Sequence, residues 1–314
     1  MKIVDIVDCY RPILTRLLLQ SKDTEYVALF LTPNLAAFSE ENAADYMNDI
    51  RKIYLSGILE RAHLAAITSL ARADRWLSST VKSIQAANVL SFSACLRGFL
   101  ESAADSHDLM QYLPAALEQL FPYMYLVFKD SSDVKNYFIV SEELEGKLIH
   151  YAYARRKPSG TILPPHHENK SNATYIEALQ KFGVPDAKSL YGDLCELTHP
   201  AAASVSCFID EEDNRLKFNP ERDREIIDEL STRYEKTIEA MIQFTVNPSF
   251  MTLSFLHRIN KEWHAPTDYE VSSIGNTKAK LERIDAFMNS YVEGSLDYAA
   301  LKMGMNYFPL SRVC

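Results

Sequence analysis

The sequence predicts an all-α protein, a multi-helix bundle of about ten helices with one small β-hairpin near residues 204–218. Apolar residues recur at three–four spacing along most of the chain, whereas alternation with period two occurs once, between Ser204 and Phe218. With 9 glycines and 13 prolines in 314 residues, chain breakers are too few for a loop-rich or disordered architecture.

Met1 to Gln20 reads as the first helix, with Ile3, Ile6, Val7, Tyr10, Ile13, Leu14 and Leu17 on one stripe. Asp5 and Asp8 precede its apolar run, which argues against a secretory signal. Thr32-Pro33 has the form of a helix start. After Ser39, Glu40 and Glu41 suit the positive end of a helix dipole, and a long helix is expected to about Ser78. Tyr46, Ile50, Tyr54, Ile58 and Leu64 form its apolar face; Arg51, Lys52, Glu60, Arg61, Arg72 and Arg75 fall on the other face.

Ser83 to Asp105 is apolar or small nearly all round, as a helix buried in a core is. Leu109 to Lys129 is rich in aromatics, with Pro114 and Pro122 expected to start or kink helical pieces. Ser141, ahead of Glu142 and Glu143, opens a helix to about Arg155. Lys157 to Asn172 holds three prolines and no period, and reads as an exposed loop. Ala173 to Phe182 is a helix that ends on Gly183. Asp186 caps the next one, which stops after His199 at Pro200.

In the hairpin, Val205, Cys207 and Ile209 form the first strand, Asp210 to Asn214 the turn, and Leu216 and Phe218 the return. One helix is expected from Glu221 to near Val246, and the tail holds helical pieces at Phe250–Trp263, Thr277–Val292 and Ser295–Met303. Pro248 and the loop from His264 to Thr277 divide the chain into a helical core domain, 1–247, and a C-terminal helical appendage, 248–314.

A net charge of -9 gives no overall footprint for nucleic acid. No stretch approaches the ~20 apolar residues of a membrane span. Five scattered cysteines, odd in number and without Cys-x-x-Cys spacing, read as reduced thiols of a cytosolic protein. Gly-x-Gly-x-x-Gly, Walker-type Gly-Lys-Ser/Thr, Gly-x-Ser-x-Gly and kinase signatures are all lacking. P-loop nucleotide hydrolysis and serine-hydrolase chemistry are thereby unsupported, and no cofactor is expected.

The candidate chemistry is a polar seam. Arg97 and Glu101, four residues apart, share a face of the otherwise apolar central helix, with Ser93 one turn before and Asp105 one turn after. An isolated pair with the base first gains little from self-pairing, and buried charges need partners, so these two call for groups from elsewhere. The best matched are Tyr191 and His199 in Leu190-Tyr-Gly-Asp-Leu-Cys-Glu-Leu-Thr-His-Pro200, where Tyr191, Cys195 and His199 fall on one helical row.

At a helix C-terminus His199 is expected to favour its protonated form and to meet Glu101, with Tyr191 donating to the carboxylate. Arg97, Glu101, Tyr191 and His199 are the candidate catalytic set; the competing reading is an ion pair that ties helices together. In that case loss of one partner from a buried pair costs on the order of 3–5 kcal/mol.

Three further features are weaker. Cys195 has only His199 nearby to activate a thiol. His166-His167-Glu168 in the proline-rich loop lacks converging ligands for a metal. Asp210-Glu-Glu-Asp-Asn214 has the charge of a calcium loop without its central glycine or distal glutamate.

Leu96-Arg97-x-x-Leu100-Glu101 together with Tyr191-x-x-Leu194-x-x-x-x-His199-Pro200 resembles poorly characterised helical bacterial proteins of the HEPN type. That resemblance implies a helical bundle and a role in phage defence or a toxin system, in a group that holds both ribonucleases and inactive binding members. The Arg-x4–6-His pair of the ribonucleases is lacking, since the nearest histidine after Arg97 is His107.

Two readings of function stand side by side. The first is a cytosolic bacterial binding, scaffold or effector component with a protein partner or a homo-oligomeric state and no membrane contact. The second is an RNA-cleaving or nucleotide-handling enzyme, with Arg97 holding phosphate, Glu101 orienting, and Tyr191 and His199 transferring protons.

Overall fold

The computed structural model describes residues 2–26, 43–135, 137–200, 202–272, 274–292 and 306–309. Among these the fold is all-α, eleven α-helices with two small two-stranded antiparallel sheets. The expected helix starts at Thr32 and Ser39 and the piece Ser295–Met303 lie outside the described residues. No helix among the described residues is long and apolar enough to cross a membrane.

Two compact units interleave along the chain: Met1–Gln20, Ile67–Asp108 and Asn169–Ser249 form the first, and Ser21–Ala66, Leu109–Glu168 and Phe250–Cys314 the second. Three long helices contribute residues to both: α2 (Ala43–Gln85), α3 (Val89–Phe128) and α9 (Glu235–Ile259).

The central helix begins later than its composition suggests. Ser83 to Gln85 end α2, and a tight turn follows in which Ala87 adopts a left-handed φ of 46°. The Asn88 amide donates to Ser83 O at 3.0 Å, closing α2, while its side-chain Oδ1 accepts from Ser91 N at 2.8 Å, opening α3. An apolar count misses this turn because Ala86 and Ala87 keep the small-residue pattern; Asn88 is the one local signal.

From Val89 the helix continues for 40 residues through Pro114 and Pro122, so the prolines do not start new pieces. Each removes one helical hydrogen bond at a cost of about 3 kcal/mol. Met110, Leu113, Leu117, Phe121 and Met124, all buried, supply burial that outweighs it.

In the first unit α1 (Lys2–Gln20), the 67–85 part of α2 and the 89–108 part of α3 surround a core that includes Leu14, Leu17, Leu70, Leu77, Phe92 and Phe99. Gly98 permits close contact between α2 and α3: a Cβ there would lie 2.7 Å from Trp76 ring carbons. Then come α5 (Asn172–Phe182), capped by Ser171 and ended by Gly183 at φ 136°, and α6 (Ala187–Thr198). Asp186 precedes α6 at φ 51° without making the expected side-chain cap; Gln180 Oε1 accepts from Lys188 N instead.

The segment expected as the first hairpin strand is partly a short helix, α7 (Ala202–Ser206), with Cys207 N donating to Ala203 O. Neighbouring alanines favour that turn over a strand start. Of the three predicted strand residues only Ile209 lies in β2 (Ile209–Glu212), which pairs with β3 (Arg215–Phe218). The turn is two residues, Asp213 and Asn214, both at positive φ (50° and 60°), the form that matches hairpin twist.

The predicted helix from Glu221 divides at Tyr234 into α8 (Arg222–Arg233) and α9, and α9 runs on past Pro248 to Ile259. Buried Val246, Phe250 and Leu253 hold it through the proline.

In the second unit the first part of α2 and the 109–128 part of α3 are joined by α4 (Glu142–Tyr153), α10 (Asp268–Val271) and α11 (Thr277–Ser290). Thr267 and Glu270 form a reciprocal capping box for α10, inside a stretch expected as loop. A second sheet pairs β1 (Tyr137–Val140) with β4 (Asn306–Pro309). Tyr-Phe-Ile-Val is a β-prone run too short to show a period, and its partner is far along the chain.

Arg51, assigned by its spacing to the polar face of α2, is 1% exposed. Its Nη1 donates to the carbonyls of Val134, Lys135 and Tyr137 at 2.6, 2.9 and 3.0 Å, and its Nε to Met47 O. It thereby fixes the segment that leads into β1.

Candidate functional site

The polar seam assembles in the first unit where α3 packs beside α6. Arg97 Nε donates to Glu101 Oε1 at 2.9 Å within α3. The fork then reaches α6: Nη1 donates to Thr198 Oγ1 at 3.1 Å and lies 3.4 Å from His199 Nε2. Tyr191 OH donates to Glu101 Oε1 at 3.2 Å, and the guanidinium sits 5.6 Å from the centroid of the Tyr191 ring. The structure therefore brings all four sequence-predicted residues together.

Local structure explains the placement. Tyr191 and Thr198 lie two turns apart on α6, and His199 is its C-cap, extended at φ -86°, ψ 149° ahead of Pro200. Leu190 and Leu194 are buried and hold α6 in place, so the row between them faces α3. Thr198 Oγ1 donates back to Leu194 O at 2.8 Å, which leaves its lone pairs for Arg97.

Three expectations change. Arg97 and Glu101 do pair with each other, because α6 supplies a second acceptor and a second donor that hold both side chains in register. They are not sealed in a core: their side chains are 25% and 27% exposed. His199 meets Arg97 rather than Glu101, and a guanidinium only donates, so the imidazole Nε2 is the acceptor.

The rest of the polar row separates from the seam. Ser93 is fully buried, whereas Asp105 accepts from Arg72 at 2.8 Å. Burial pulls the Arg97 guanidinium down, but the hydrogen bond to Glu101, together with nearby Cys195, Glu101 and Tyr191, outweighs it and the net direction is up. The Tyr191 phenol is raised by burial first, then by its hydrogen bond to Cys195 and the proximity of Cys195 and Glu101, with Arg97 opposing.

Cys195 is thus part of the seam, half-buried beside Tyr191. Thr198 and the Asp193 cluster are the contributors that sequence reasoning passed over. Asp193 accepts from Tyr234 OH at 2.7 Å and from Arg233 at 3.1 Å, tying α6 to the end of α8. Thr198 stands next to His199 in the quoted motif, so its position was visible; its role as an acceptor for Arg97 was not.

The other candidates take structural positions. In the second unit His167 Nδ1 lies 2.8 Å from Pro165 O and stacks on Tyr153, while the His166 backbone oxygen lies 2.9 Å from His150 Nδ1. Glu168 approaches Lys157 at 3.7 Å. Asp210 accepts from Asn219 at 2.8 Å, and Asp213 and Asn214 make the hairpin turn. Among the described residues no group of three or more His, Cys, Asp or Glu could hold a metal ion.

Comparison of the chain with known protein families, with curated proteins and with solved structures finds no match. The geometry alone therefore carries the functional reading.

Proposed function

We propose that this chain is a helical binding or scaffold component of the bacterial cytosol, of the phage-defence or toxin-system kind, and that its polar seam ties α3 to α6. One observation carries this reading: the seam spends its reactive groups on itself. The His199 Nε2 lone pair that a general base would use is aimed at Arg97, and Arg97 is already shared among Glu101, Thr198 and His199.

A second reading, RNA cleavage or nucleotide handling, is favoured by the convergence of Arg97, Glu101, Tyr191 and His199 with His199 exposed. Induced expression separates the two. Under the first reading, cells expressing wild type and His199→Ala keep intact total RNA and grow alike, and the native protein isolates in a defined complex. Degraded RNA with the wild type and intact RNA with His199→Ala would replace the first reading by the second.

A further inference from the structure

Among the described residues, the outer edge of β3 in the β2–β3 hairpin has no strand partner. Its register pairs Glu212 with Arg215, Glu211 with Leu216, Asp210 with Lys217 and Ile209 with Phe218 around a two-residue turn. In such a hairpin the residues flanking the turn exchange hydrogen bonds, and every second pair thereafter does so. The bond from Asn219 N to Phe208 O at 2.8 Å continues that series. Leu216 and Phe218 therefore point their N–H and C=O groups away from β2, and no described residue bonds to them.

The same two residues expose their side chains, at 72% and 71%, and all four residues of β3 are exposed. An open edge with apolar side chains is a template for strand addition. The charges narrow the occupant. Arg215 and Lys217 stand on the opposite face of β3 from Leu216 and Phe218. A second copy adding its own β3 would set Arg215 and Lys217 against their like, which is unfavourable for directly opposed residues. The strand that β3 already accepts, Ile209-Asp210-Glu211-Glu212, is strongly acidic.

We infer that the outer edge of β3 docks an extended acidic segment of a partner protein, its carboxylates opposite Arg215 and Lys217 and its apolar residues beside Leu216 and Phe218. This names a partner class for the binding reading above and rests on it, but not on the seam.

The test measures fluorescence anisotropy of the full chain with a fluorescein-labelled peptide of about eight residues alternating valine and glutamate, against one alternating valine and lysine. The acidic peptide binds and the lysine peptide does not. Leu216→Pro removes only an outward N–H and an exposed side chain, so it keeps the wild-type melting temperature and weakens binding at least about tenfold. Leu216→Thr combined with Phe218→Thr, which retains strand propensity, weakens it as well.

Equal binding of both peptides, no binding of either, or wild-type affinity in the variants overturns the inference. So does a wild-type dimer that Leu216→Pro dissociates, since the occupant is then a second copy. A negative result here leaves the RNA experiment with His199→Ala to decide the broader reading separately.

Discussion

Arg97 in the first unit and Arg51 in the second solve the same problem in opposite ways. Arg97 keeps a quarter of its side chain in water, faces a carboxylate, and its pKa moves up. Arg51 is 1% exposed, its hydrogen-bond acceptors are backbone carbonyls, and burial moves its pKa down. One Arg51 nitrogen, Nη2, is buried without a hydrogen-bond partner.

The two histidines differ in the same sense. His199 is exposed beside Arg97, while His63 is fully buried, lies 2.7 Å from Tyr26 OH and stacks on Trp263 with its Nε2 unpartnered. A charge that stands out in an apolar helix is thus the better solvated one. The buried cation, Arg51, stands in the sequence among ordinary polar residues.

The largest expected effect is at Arg51. Arg51→Met keeps much of the volume but strips the donors from the Val134, Lys135 and Tyr137 carbonyls, at a cost on the order of 4 kcal/mol. Urea denaturation reads it directly. A loss no greater than that of Arg97→Met would erase the contrast between the two sites.

Next is the pH response of His63. Burial, with His264 nearby, depresses its pKa to about 4 from the ordinary 6.5. Above the unfolded-state value the neutral ring costs nothing, so the contribution is complete there. As pH falls the unfolded chain takes up the proton first, and stability drops by roughly 3 kcal/mol before both states are protonated. Denaturation midpoints from pH 7 to pH 4 give the slope. His63→Phe, which can still stack on Trp263, should flatten it; an unchanged slope would show that other groups cause the acid sensitivity.

The smallest effects belong to the seam. For a sealed pair the expectation is several kcal/mol, but at 25% and 27% exposure water stabilises whichever charge is left behind. Arg97→Ala should cost about 1–2 kcal/mol. Glu101→Gln, which still accepts from Tyr191, should cost less than about 1 kcal/mol. Thermal melts in low and high salt check both, with the gap between variant and wild type narrowing as salt rises. Glu101→Gln with native melting and a lost cellular phenotype would instead favour the catalytic reading.

The candidate site was legible where chemistry is local. Arg97 and Glu101 contradict the apolar helix around them, and Tyr191 and His199 share a row, so all four could be named from spacing. Their pairing could not, because the contacts of Thr198 and His199 with Arg97 depend on how α6 lies against α3. Arg51 illustrates the converse: on α2 it is one cation among Lys52, Arg61, Arg72 and Arg75, and only the segment 134–137 makes it different.

The sequence by itself determined the fold class, because three–four periodicity is a property of each stretch and sums over many turns. It also placed a hairpin near 204–218, but its turn, expected over Asp210 to Asn214, is only Asp213-Asn214, because Asp210 to Glu212 pair with β3 as strand. Tertiary structure decided that α3 and α9 run through their prolines. Pro114, Pro122 and Pro248 each remove one hydrogen bond, but neighbouring apolar burial outweighs the loss, and no local rule contains that burial. It decided as well that β1 is a strand and that Arg51 is inside, since a strand needs a distant partner and a buried cation needs carbonyls that about 85 residues of chain separate from it.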